Sequence, residues 1–87
     1  MDPRLVQLAR ILQTPLDSTA AARAAVSARA GEVAEALVFE AAASDDVTST
    51  EAALDYLEAR LVYLGDLVEP AAAAHIRNHF RVRISAW

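Results

Sequence analysis

Two histidines set four residues apart, His75 and His79, have the spacing in this 87-residue chain that comes nearest to chemistry. On a helix, positions i and i+4 lie on one face. Two imidazoles so placed can share a zinc or nickel ion. The surroundings argue for a simpler role. Ile76 stands where the glutamate of an HExxH motif would be. No third ligand follows from the spacing, and Arg77 and Arg81 crowd the segment with positive charge. His75 and His79 are therefore the metal candidates, set against a preferred reading as surface histidines near a helix C-terminus, where a cation is favoured. No cofactor is expected.

Arg77, Arg81 and Arg83 make a small basic patch with these histidines, and they are the nucleic-acid candidates. The competing reading is pairing with acids elsewhere in the chain. Charge distribution favours the second. The net charge is −4. Residues 1–31 carry four arginines against Asp2 and Asp17, residues 32–69 carry ten acids against Arg60 alone, and residues 70–87 carry three arginines and no acid. Basic ends around an acidic middle do not suit a protein that coats DNA or RNA. They do suit pairing within the molecule or with a partner. A DNA- or RNA-binding regulator using residues 70–87, or using the first two helices with Ser18, Thr19, Ala22 and Arg23 toward a groove, stands as the alternative function.

Other arrangements explain themselves structurally. Asp45, Asp46, Thr48 and Glu51 lack the spacing and central glycine of a calcium loop, and read as a turn followed by a helix cap. No serine or aspartate is placed beside either histidine as a nucleophile–base set would require, and no glycine-rich phosphate loop is present. The chain is not expected to be an enzyme. It has no cysteine, so neither a disulfide nor a thiolate metal site is available.

The elements that hold these residues all read as helix. Asp2 and Pro3 have the types of an N-cap and first helical residue. Leu5, Leu8, Ala9 and Leu12 form an inward stripe that Val6 and Ile11 widen, and Gln13-Thr14-Pro15 ends it. Asp17 or Ser18 caps a second helix with a stripe of Val26, Ala30, Val33, Leu37 and Ala41. Gly31 costs that helix about 1 kcal/mol relative to alanine. Arg29 before it and Glu32 and Glu35 after it suit a break there. The alanines on both sides favour one continuous helix over residues 19–43, about 37 Å long. Ser44-Asp45-Asp46-Val47 then turns the chain into an antiparallel hairpin. The third helix, 48–64, opens with the capping-box spacing of Thr48 and Glu51 and carries Leu54, Leu57, Leu61 and Leu64 on one stripe. Gly65 closes it. Pro70 starts a fourth helix whose inner face is Ala73, Ile76 and Phe80, extended by Ile84 and Trp87. Residues 80–85 also alternate as a strand would; the helical reading is preferred.

The fold expected is an all-α bundle of four helices, or five if the second breaks at Gly31, in a single domain over 1–87. Twenty-one alanines make good helix but bury little area, so self-association is one way to complete the core. Heavy use of alanine and arginine without any lysine points to a GC-rich bacterial or phage genome. No apolar run approaches the roughly 18–20 residues of a membrane span. The first ten residues lack the apolar stretch of a signal peptide. A soluble, cytoplasmic protein is expected. Its expected function is that of a small interaction module — adaptor, inhibitor or self-assembling protein — whose partner is a protein or a second copy of itself. Tyr56, Tyr63, Phe80 and Trp87 are the candidate anchors.

Overall fold

A computed structural model describes residues 1–87, and all of its regular structure is helical. Five helices follow one another: α1 (Pro3–Leu12), α2 (Thr19–Ala28), α3 (Ala30–Ala43), α4 (Thr50–Leu64) and α5 (Pro70–Ile84), with a 3-10 turn at Gly65–Leu67 between the last two. No helix is long and apolar enough to cross a membrane.

The expected continuous helix over 19–43 is broken. The break falls at Arg29, whose φ of −128° and ψ of 38° interrupt the helical path. The physical reason is visible in the side chain. Arg29 Nη1 donates to the carbonyl of Leu12 at 2.6 Å, satisfying an end of α1, while the same guanidinium pairs with Glu32 in the first turn of α3. Gly31 lies just inside α3, not at the break. The result is compact. The radius of gyration is 12.4 Å and the longest dimension 35 Å, against about 12 Å expected for a globule of this length.

Caps account for most boundaries. Asp2 accepts from the Arg4 amide, and Pro3 follows at the first helical position. Ser18, not Asp17, caps α2 by accepting from Ala21 N. Ser49 caps α4 by accepting from Ala52 N, so the expected Thr48–Glu51 capping box does not form: the cap lies one residue later, and Ala52 stands where the box needs a glutamate. Serine alone satisfies one free amide there, with the helix entering one step later. Gly65 ends α4 at a φ of 52°. α5 runs to Ile84 without becoming a strand.

The core is a single apolar cluster to which every helix contributes. The stripe Val26, Ala30, Val33, Leu37 and Ala41 is buried along its whole length, on both sides of the break. In α4, Leu57, Leu61 and Leu64 are buried, but Ala53 goes fully inside while Leu54 is only half covered. The tightest packing is between α3 and α5, not within the α3–α4 hairpin. These two helices run parallel: Gly31 lies beside His75 and His79, Glu35 beside His79 and Arg83, and Ala43 near Trp87. The small alanine side chains of α3 permit the close approach.

Candidate interaction surface

The charged residues of the C-terminal segment are turned onto the molecule itself. Arg77 makes a two-pronged contact with Glu58, Nε to Oε2 at 2.8 Å and Nη2 to Oε1 at 3.0 Å, joining α5 to α4. Glu35 Oε2 accepts from His79 Nε2 at 2.6 Å and from Arg83 Nε at 2.7 Å, joining α3 to α5. Arg83 first, and His79 after it, hold the Glu35 carboxyl below the usual carboxylate range. Arg77 does the same for Glu58, with Arg81 adding to the field. Of the three arginines in this segment, Arg81 alone forms no ion pair. The acidic middle thus neutralises the basic end, as the distribution of charge along the chain suggested.

The two histidines share a face, as their spacing requires. Both approach Gly31, where an added Cβ would lie 3.8 Å from His79 Nδ1 and 4.0 Å from His75 Nε2. His79 is engaged by Glu35. No group of three or more His, Cys, Asp or Glu side chains is placed to hold a metal ion.

The first helix pair offers little to a groove. Ala22, expected to face outward, is fully buried, and Arg23 pairs with Glu69 at 3.6 Å.

The four aromatic anchors divide. Phe80 is corrected: it is completely buried, a central core residue of α5. Its place on the stripe Ile76, Phe80, Ile84 turns it inward. Tyr56 is half-buried and donates to Glu40 Oε2 at 2.9 Å; burial, then that hydrogen bond, push its hydroxyl pKa up. Arg60 bridges the same cluster, with Nε 3.5 Å from Glu40 and Nη2 donating to Gln7 at 2.7 Å. Tyr63 is exposed and lies under the Arg60 guanidinium, 5.4 Å from the ring centroid. Trp87 lies beyond the end of α5 and is 54% exposed.

One aromatic missed by the sequence reading completes the picture. Phe39 projects from α3 and is 80% exposed. It falls off the stripe Val33, Leu37, Ala41, and that displacement was the available signal. Phe39 and Trp87 rim a hollow of about 350 Å³ floored by Val38, Ala42 and Ala43, with Arg83 at its edge. Arg83 also borders a neighbouring hollow that Val82 lines, and Val82 is 64% exposed. Three large apolar side chains therefore stand on the outer side of the best-packed helix pair.

Comparison with protein-family models, with curated proteins and with solved structures finds no match for this chain.

Proposed function

We propose that this chain is a small protein-interaction module that pairs with a second copy of itself through the C-terminal ends of α3 and α5. The observation that carries the reading is the exposure of Phe39 and Trp87, two aromatics that line one hollow together with Val38, Ala42 and Ala43. A projecting aromatic beside a shallow hollow is the arrangement a two-fold axis can use, since each copy offers both the knob and the recess. Aromatic anchors seated in such recesses dominate interface energies.

Charge supports the same reading over nucleic-acid binding. Arg77 and Arg83 already face carboxylates, and a phosphate would have to displace Glu58 and Glu35. Arg81 alone is a thin basis for backbone contact.

The test is solution mass by light scattering across a range of concentrations, on the natural chain and on Phe39→Glu and Trp87→Glu. Both side chains are exposed, so neither change disturbs the core. A dimer that both changes dissociate supports the reading. A monomer at every concentration rejects self-pairing and leaves a different protein as the occupant of the face.

A further inference from the structure

α1 carries more apolar surface than its neighbours cover. Leu5, Leu8 and Leu12 go into the core, while Val6 and Ala9 on the flank are only half-buried. After α1 the chain reverses at Gln13, which adopts a left-handed φ of 53°. Pro15 and Leu16 then lie back against the flank. Together they line an open, shallow trough of about 430 Å³ with Leu5, Val6, Ala9, Pro15 and Leu16 along it and Met1 at its edge. No acidic residue lines it.

Arg10 lines the same trough. In a chain where six of eight arginines are held by carboxylates, Arg10 forms no ion pair. Its position in the last turn of α1 favours a cation there, but the helix end does not use up its hydrogen-bonding capacity. The hollow beside Phe39 differs on this point, because its arginine already donates to Glu35.

We propose that the α1 trough binds a free fatty carboxylate. The acyl chain lies along Leu5, Val6, Ala9, Pro15 and Leu16, and the carboxylate accepts hydrogen bonds from the Arg10 guanidinium. An apolar trough bordered by an arginine that no carboxylate holds, and by no acid, matches a single-chain anion. The trough is independent of the Phe39–Trp87 face and does not rest on the self-pairing described above.

The test is an amide and methyl NMR titration with laurate below its micelle concentration, beside dodecyl maltoside, which has the same chain and no charge. The result expected is saturable one-to-one binding, with shifts confined to Met1, α1 and residues 13–16. Laurate should bind about threefold to tenfold more tightly than the uncharged amphiphile, the range of a partly screened charge-assisted hydrogen bond. Arg10→Gln, at an exposed position, should abolish that preference while leaving the maltoside affinity unchanged. Three results would overturn the proposal: shifts centred on Phe39, Val82 and Trp87 with several equivalents bound, an Arg10→Gln variant that keeps the preference for laurate, or binding to phosphatidylcholine vesicles that matches binding to free laurate.

Discussion

Phe80 and Trp87 are both aromatic and both near the chain's C-terminus, yet their environments predict opposite consequences of substitution. Phe80 is fully enclosed, and Phe80→Ala should cost about 3–5 kcal/mol through lost transfer energy and the cavity left behind. Trp87 is half in water, and Trp87→Ala should stay within about 0.5 kcal/mol. Urea unfolding of the two variants at low protein concentration measures the contrast. Glu35 makes a prediction about pH. Arg83 and His79 lower its carboxyl pKa below the ordinary value of 4.5, so the unfolded chain takes up a proton there more readily than the folded one. The stabilisation is complete above 4.5 and is lost as the pH falls through the depressed folded value. Glu58, held by Arg77, behaves in the same sense. Glu35→Gln should therefore lower the urea midpoint at neutral pH, and its difference from the natural chain should shrink as the pH falls below 4.5. A constant difference down to strong acid would reject the pairing.

The two glycines separate helix interior from helix end. Gly31 is inside α3, and an added Cβ meets the His79 and His75 rings only at ordinary contact distance. Gly31→Ala should raise stability by about 0.5–1 kcal/mol, the entropic penalty of helical glycine. Gly65 has a φ of +52° that L side chains rarely adopt, with Arg4 Nη1 3.5 Å from the Cβ position. Gly65→Ala should cost about 1–3 kcal/mol. Thermal melts of both proteins check the opposite signs. The elements themselves were largely legible because their stripes are long: Val26 to Ala41 is buried as its periodicity requires. What periodicity could not give was the break at Arg29. That break depends on a hydrogen bond to Leu12, a residue 17 positions away, and glycine propensity pointed two residues too late. The same limit hid Phe39. Its place off the stripe marks it as outward-facing, but that Trp87 and the alanines of α3 gather beside it to form a hollow shows only once the helices are packed.

One chain closes an apolar core of its own, a single cluster of 22 buried residues. Its accessible surface of 5097 Å² is close to the roughly 5,000 Å² expected for a folded monomer of 9.3 kDa. Alanine compensates for the scarcity of large side chains by letting α3 and α5 pack extensively. Pairing, on this account, adds an interface to a finished fold. The internal ion pairs that join basic ends to the acidic middle carry a related expectation for nucleic acid. Generic duplex DNA should not be retarded even at low salt, because Arg77 and Arg83 are already occupied. Self-pairing is decided by light scattering on the natural chain beside Phe39→Glu and Trp87→Glu, with circular dichroism to verify that each stays folded. The account predicts twice the 9.3 kDa chain mass for the natural protein and the single-chain mass for both variants. A natural chain that remains monomeric at all concentrations, or a dimer untouched by either substitution, would contradict it.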